Sequence, residues 1–263
     1  VISVFALGDV VGRAGRQAVA ASIDRIKSTY HPDILLMNGE NLAGGYGITK
    51  KIYSEFIDVH GFDAITTGNH WHDNKEIIEF ADKAERLVLP ANMSNVRDET
   101  MGLKILTSHN GTRFAVLNLI GRAFMKDGNR SPFDAAARLL ERVPNQVRIR
   151  IVDIHAEATS EKQGMLFFLN GKVSLVYGTH SHVPTADERI LPSGTGFVTD
   201  LGATAAYDSI IGMNKEAALR RMLTNGKERL EPAELDPWVC GIHALMDPES
   251  GQCKQLNRVQ WRL

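Results

Sequence analysis

Asp9, Glu40, Asn41, Asn69, His155, His180 and His182 are residue types that hold hard and borderline metal cations, and each stands in a short polar segment just past an apolar run. The segments are Gly8-Asp9, Gly39-Glu40-Asn41, Gly68-Asn69-His70, Asp153-Ile154-His155 and Gly178-Thr179-His180-Ser181-His182. Two cations about 3.5–4 Å apart can activate one hydroxide between them and clamp a phosphate in line with it. Such a centre needs a bridging carboxylate and separate ligands on each side. Asp9 can serve one metal, and Glu40 has the two oxygens a bridge requires. Asn41 and Asn69 offer neutral carbonyl oxygens, and the three histidines offer imidazole nitrogens. His180 and His182 share a face if their segment is extended, whereas a loop would aim them at different metals. The donors are mixed nitrogen and oxygen without thiolate, which fits iron, manganese or zinc better than copper or a sulfur cluster. His70 follows a ligand candidate directly and is expected near the metals without binding them. Its expected task is protonating a leaving alkoxide, worth about 10²–10⁴-fold.

Taken singly, a Gly-Asp after a strand is a turn, and an Asn-His pair is surface or a satisfied core group. Taken together, five of the nine histidines (His70, His72, His155, His180 and His182) fall in or beside these segments. Structural explanations would have to coincide five times.

The elements that must position these residues are strands whose C-terminal ends meet at one edge, where α/β folds bind ligands. Val4 to Leu7, Ile34 to Met37, Ala64 to Thr67, Arg148 to Val152 and Ser174 to Tyr177 read as those strands. Between them, Ala14 to Tyr30 reads as a helix with Ala18, Val19, Ile23 and Ile26 on one face. Thr49 caps a helix running to His60. Lys75 to Ala84 reads as a helix with Ile77, Ile78 and Phe80 inward. Asn110-Gly111 marks a hairpin between Lys104 to Thr107 and Phe114 to Asn118. Pro132 to Arg142 is helical. Gly196 to Val198 and Val239 to Met246 are strand-like, and Asp247 to Gly251 turns a last hairpin that ends near Arg262. The charged stretch from Thr224 to Pro237 reads as a surface excursion. Gly44-Gly45-Tyr46-Gly47 lacks the ending of a P-loop and is expected as a mobile loop flanking the site. Arg13 and Arg16 stand where an anion at the entry of the first helix would meet a guanidinium.

The chain has 263 residues, 43% of them hydrophobic, with Lys+Arg of 30 against Asp+Glu of 31. That buries a substantial core and builds no field of one sign, so there is no strong nucleic-acid signature. No apolar stretch reaches the ~20 residues that span a bilayer. Val1 to Leu7 is too short for a signal-peptide core. A cytoplasmic location is expected. Cys240 and Cys253 are expected as reduced thiols that could face each other across the last hairpin. Alternating βα units followed by hairpins predict an α/β fold with mixed sheets covered by helices. A doubly wound parallel sheet explains the hairpins less well.

The segments in this order resemble the calcineurin-like metallophosphoesterase superfamily. More narrowly, the chain is similar to its bacterial YmdB-type branch of 2′,3′-cyclic-nucleotide phosphodiesterases. The narrower match rests on residues 8–12 (Gly-Asp-Val-Val-Gly), residues 38–41 (Asn-Gly-Glu-Asn), the run from Asp153 to Lys162, and the run from Gly178 to Asp187; residues 118–122 and Tyr207-Asp208 also fit. It covers essentially the whole chain. The superfamily commonly has Asp-x-His first and a bridging Asp; here Val11 and Glu40 stand in those places, as in the branch. The resemblance implies a single domain over 1–263, a sandwich of two mixed β-sheets between helical layers. It implies Asp9, Glu40, Asn41 and His182 around one metal, Glu40, Asn69, His155 and His180 around the other, and His70 as proton donor. It implies two divalent or trivalent transition-metal ions, iron first and manganese second. Two places depart from the branch: after Gly-Asn-His it usually has a small or variable residue and then Trp, whereas here Trp71 comes first and His72 takes the Trp position, and Thr204-Ala205-Ala206-Tyr207-Asp208 replaces its Thr-Gly-Pro-Tyr-Asp. Both border the expected pocket.

The expected function is hydrolysis of 2′,3′-cyclic nucleotides and activated phosphodiesters by a metal-bridging hydroxide, with His70 protonating the leaving oxygen. The alternatives are a phosphomonoesterase or nucleotidase on the same site, and a regulatory RNA-associated protein with a vestigial metal site. The expected partner is a small phosphodiester, with no membrane; a homo-oligomer is compatible with the sequence.

Overall fold

The structure, a computed structural model, describes residues 1–125, 129–227 and 229–263. In chain order its strands and α-helices are β1 (Ile2–Val10), α1 (Gly12–Tyr30), β2 (Ile34–Asn38), α2 (Lys50–Ser54), β3 (Ala64–Thr66), α3 (Ile77–Phe80), β4 (Leu87–Val88), β5 (Leu103–Thr107), β6 (Arg113–Ile120), α4 (Pro132–Glu141), β7 (Ile149–His155), α5 (Thr159–Leu169), β8 (Leu175–Thr179), β9 (Arg189–Ile190), β10 (Gly196–Val198), β11 (Ala203–Ala206), α6 (Lys215–Thr224), β12 (Pro237–Met246) and β13 (Cys253–Arg262).

Two mixed sheets stack face to face. The first runs β13-β12-β11-β1-β2-β3-β4, and the second runs β5-β6-β7-β8-β10-β9. In the first, β1 is parallel to β2 and β11 and antiparallel to β12. In the second, β6, β7, β8 and β10 are parallel, with β5 and β9 antiparallel at the edges. The period of two along each strand feeds three cores. Val4 and Ala6 of β1 face Phe114, Val116, Ile151 and Tyr177 in the seam between the sheets. Phe5 and Leu7 face the other way, onto Ala18, Val19, Ile23 and Ile26 of α1. On the far side of the second sheet, Leu117, Val152 and Ile154 pack on Leu139 of α4 and Met165 and Leu166 of α5. The result is the expected sandwich of two mixed sheets between helical layers.

Several local expectations hold. The Thr49 hydroxyl accepts from Ile52 N and caps α2, which runs into a π-helical turn over Glu55–Val59. Leu103–Thr107 and Arg113–Ile120 pair across the Asn110-Gly111 turn. Others are corrected. The helix expected over Lys75 to Ala84 shrinks to α3 and a 3-10 turn, and Ile78 points outward at 59% exposure. Cys240 and Cys253 are free and buried, but they do not face each other: Cys240 stands opposite Gln260, and Cys253 opposite Met246. The stretch after α6 is more than a surface excursion. Ala233 is buried against Ala14 and Ala206, and Leu230 accepts a bond from Tyr46. Glu228, in that stretch, lies outside the described residues. Among the described residues no helix is long and apolar enough to cross a membrane.

Candidate metal centre

β1 ends in a bulge. Leu7 pairs with Met37 and Asp9 with Asn38, so Gly8 is one residue too many on its strand. A bulge re-aims the following side chain. A Cβ on Gly8 would lie 1.8 Å from the Gly202 carbonyl oxygen, so only glycine fits there. Asp9, at the C-terminal end of β1, is fully buried. Its Oδ2 accepts from His180 N at 3.1 Å, and its Oδ1 has no hydrogen-bond partner. Glu40 follows β2, buried, with its backbone N bonded to the Asn38 side chain. Its Oε2 accepts from His70 N at 3.0 Å, and its Oε1 lies 3.3 Å from His155 Nε2.

His155 ends β7 and is fully buried. Its Nδ1 is 2.9 Å from Thr179 Oγ1, and that hydroxyl donates to Asp153 Oδ1 at 2.7 Å. The hydroxyl has one proton, so His155 must donate Nδ1–H to it and turn Nε2 inward. Asp153 Oδ2 accepts from Asn38 Nδ2 and Thr66 Oγ1, so the whole network is buried and bonded. Burial pushes the Asp153 carboxyl up to about 6. His180 Nε2 lies 3.2 Å from Glu157, leaving Nδ1 inward, 3.0 Å from His155 Nε2. His182 Nδ1 is 2.8 Å from the Ile211 carbonyl, which can only accept, so Nε2 is the free lone pair. It lies 4.0 Å from Asp9 Oδ1.

These atoms form two clusters that share one carboxylate. Asp9, Glu40 and His182 make one, and Glu40, His155 and His180 make the other, each with ligand atoms within 4.8 Å of one another. Asn69 Oδ1 joins the second at 3.0 Å from His155 Nε2. Asn41 donates Nδ2–H to the Gly45 carbonyl, and its buried Oδ1 has no partner. His70 enters neither cluster. Its Nδ1 bonds Asp73 Oδ2 at 2.7 Å, and Tyr46 packs edge-on against its ring.

The donor set fits cations. Buried Asp9 Oδ1 and Asn41 Oδ1 lack partners, which is costly unless something positive meets them. Two inward imidazole nitrogens, His155 Nε2 and His180 Nδ1, face each other at 3.0 Å. A Cβ on Gly68 would lie 2.3 Å from both Glu40 Oε2 and His155 Nε2, so the chain leaves this space to the ligand atoms alone. The electrostatics agree. Burial opposes charge on Glu40, yet the adjoining His155 and His70 outweigh it and hold the carboxyl well below its usual range. Burial pushes Asp9 up, against the pull of His182 and His155. Burial would lower His155, but Glu40, Asp9 and Asp153 push it up to about 9. Burial and the neighbouring His155 push His180 down to about 3.

The loop after β8 carries strain. His180 and His182 have φ of 98° and 64°, left-handed values that cost about 1–3 kcal/mol each for such residues. Asp200 holds the loop in place, accepting from Ser181 N and Gly202 N. Its charge is met by the buried Lys162 ammonium at 2.6 Å.

A cavity of about 430 Å³ opens beside the clusters, lined by Asn69, His70, His72, Asp73, Ile120, Phe124, Met125, Asn129 and His180. Trp71 turns into the core and donates to Asn95, while His72 takes the cavity side. Phe124 stands at the cavity 89% exposed. Tyr207 lines a different hollow on the His182 side. Arg13 lines a separate cavity and Arg16 donates to the Leu42 carbonyl, so neither lines this one. The glycine loop at 44–47 is tied down by Gly47 N to Glu40 O, Asn41 to Gly45 O and Tyr46 to Leu230 O. Sequence reasoning missed the supporting residues Asp153, Thr179, Asp200 and Lys162. Asp153 and Thr179 lie inside polar segments, which was the available signal; Asp200 and Lys162 stand outside them.

The family model described as YmdB-like protein matches residues 5–259. A Bacillus subtilis (strain 168) protein named 2′,3′-cyclic-nucleotide 2′-phosphodiesterase is 41% identical over 254 residues, 96% of this chain and 94% of that protein. Two solved structures superpose closely. A hypothetical protein from Thermus thermophilus has a TM-score of 0.89 at 33% identity, covering 99% of each chain. A protein of Mycoplasma pneumoniae described as a novel phosphatase has a TM-score of 0.90 at 29% identity, covering 99% of this chain and 93% of that one.

Proposed function

We propose that this chain, which belongs to the YmdB-like protein family and is a phosphoric ester hydrolase, uses two metal ions to hydrolyse 2′,3′-cyclic nucleotides. The observation that carries the reading is the place of Glu40 in both clusters, which fits a carboxylate bridging two cations. Asp9, Glu40, Asn41 and His182 would hold one ion, and Glu40, Asn69, His155 and His180 the other. Iron suits the mixed set, and manganese is the second choice. Bound cations would supply the nucleophile and the positive charge that a phosphorane-like transition state needs.

The chain's own groups do the rest. His70 faces the cavity with Nδ1–H held by Asp73, a carboxylate that pairs with the imidazolium form, in which Nε2–H gives its proton to the departing ribose oxygen. The name of the Bacillus subtilis relative points to the 2′ ester as the bond broken, leaving a nucleoside 3′-phosphate. The cavity of about 430 Å³ is of nucleotide size. Phe124 offers a flat ring to any base, a contact that is tolerant of base identity. Weak base preference follows. The seam core joining both sheets supports reading residues 1–263 as a single domain. Two free, buried thiols support a reducing, cytoplasmic setting.

The test is elemental analysis of chelator-free protein together with a substrate panel. About two transition-metal ions per chain are expected, with kcat/KM falling from a 2′,3′-cyclic nucleotide to bis-p-nitrophenyl phosphate to p-nitrophenyl phosphate. A reproducible single ion overturns the dinuclear centre, and best turnover of the free monoester replaces the diesterase reading with a phosphatase.

A further inference from the structure

The opposite rim of the second sheet carries a second built pocket. The metal clusters sit at the C-terminal ends of β7 and β8, whereas this hollow of about 260 Å³ lies where those strands begin. Three tight turns close it: Gly171-Lys172 before β8, Ser193-Gly194 between β9 and β10, and Ser250-Gly251-Gln252 between β12 and β13. Gly171, Gly194 and Gly251 all have left-handed φ, of 76°, 89° and 74°. The turns are locked to one another. Cys253 N donates to Gly194 O at 2.7 Å, Gln252 Nε2 to Ser193 O at 3.3 Å, and Gly171 N to Thr195 Oγ1 at 2.9 Å. A Cβ on Gly251 would lie 2.3 Å from the Arg148 carbonyl oxygen.

Three cations line this rigid hollow, Arg148, Arg150 and Lys172, and no carboxylate does. Among the described residues none of the three forms an ion pair. Arg150 gives Nε–H to the Val147 carbonyl, and the Lys172 ammonium rests 4.7 Å from the Phe168 ring centre. Burial, and then the charge of Arg148, lower the Arg150 guanidinium from its usual value. Like charges held together in a preorganised hollow without an acid lack their counter-charge.

We infer that this pocket binds a phosphate dianion through Arg148, Arg150 and Lys172, at a site separate from the metal centre. Guanidinium forks match tetrahedral oxyanions and hold them in charge-assisted pairs. The hollow is smaller than the usual range for organic ligands, about 300–1,000 Å³. Its lining has no aromatic ring, so nothing would stack on a base. Free phosphate and the phosphate end of a nucleotide share this chemistry, and the lack of a base platform predicts similar affinity for both.

The test measures equilibrium binding of radiolabelled inorganic phosphate to metal-loaded enzyme, wild type and the combined variant Arg148→Gln, Arg150→Gln, Lys172→Gln. The variant is expected to lose one equivalent of bound phosphate, or to bind it at least about tenfold more weakly, with kcat on a 2′,3′-cyclic nucleotide unchanged. Unchanged kcat also reports that the variant is folded. If the triple change unfolds the chain, Lys172→Gln alone, in an exposed turn, should weaken the same equivalent about two- to fivefold. A nucleoside 3′-monophosphate should displace that equivalent with a Kd within about tenfold of phosphate. Equal stoichiometry and Kd in wild type and variants overturn the site, and much tighter nucleotide binding there overturns the bare-phosphate reading.

Discussion

Thr179→Val tests whether the buried network behind His155 sets the metal site. The two side chains are nearly the same shape, so the change removes a hydroxyl and opens no cavity. That hydroxyl accepts from His155 Nδ1 at 2.9 Å and donates to Asp153 Oδ1 at 2.7 Å, and all three residues are fully buried. Valine leaves a ring N–H without an acceptor and takes one of the three side-chain bonds from the Asp153 carboxylate. An unsatisfied buried group costs about 1–3 kcal/mol, so the orphaned ring N–H alone predicts roughly 1–3 kcal/mol of lost stability, with the weakened Asp153 carboxylate adding to it. The same loss frees the imidazole to turn or to change tautomer. Outer partners of ligands of this kind are worth about 10–100-fold in metal affinity. Urea unfolding at fixed metal concentration reads the first effect, and competition with a calibrated chelator reads the second. Thr179→Ser restores the hydroxyl and should recover most of both. A valine variant that holds metal within twofold of wild type refutes the claim that this chain of bonds orients His155.

Glu40→Ala removes the carboxylate common to both clusters and should cost metal occupancy and turnover together, as read by elemental analysis and kcat. His70→Ala should keep both metals and lose about 10²–10⁴-fold in kcat; metal loss instead would make His70 a ligand. Gly68→Ala puts a Cβ 2.3 Å from Glu40 Oε2 and His155 Nε2 and should empty the site, while far-UV circular dichroism stays native. Phe124→Ala should raise KM for 2′,3′-cyclic nucleotides about five- to hundredfold with little change in kcat, since stacking on a base is worth about 1–3 kcal/mol; an unchanged KM removes the stacking role.

The sequence was legible where side-chain period and local turn chemistry decide the outcome. Val4 to Leu7, the α1 face and the Asn110-Gly111 hairpin are of this kind. It was opaque where tertiary position decides. Helix α5 has Met165, Leu166, Phe167 and Phe168 in one run, which shows no clean apolar face, and Phe167 is in fact 63% exposed. Helix α6 buries only Ala218, so no stripe marked it. The alanine-rich β11 is a strand because Ala203 and Thr204 stand beside Asp9 and Val10, not because of its own propensity. In the site, every proposed ligand stood in a readable segment, and the structure brings those distant segments to one place. The outer partners were harder to see. Asp200 and Lys162 meet across 38 residues as a buried pair, and neither type is expected inside a protein until its partner is known.

The proposed ligands arrive in a fixed temporal order. Asp9, Glu40, Asn41 and Asn69 come from the first sheet and its loops, and they donate oxygen alone. His155, His180 and His182 come from the second, and they supply all the nitrogen. During synthesis at about 5–20 residues per second, the oxygen set is exposed for several to tens of seconds before the last histidine is made. An all-oxygen half-site suits hard ions such as magnesium or manganese and binds them loosely. The imidazoles that favour iron enter only when both sheets have docked and the strained loop after β8 has closed. If these residues hold two ions as proposed, metal choice would fall at the end of folding, when the nitrogen donors join the oxygen set.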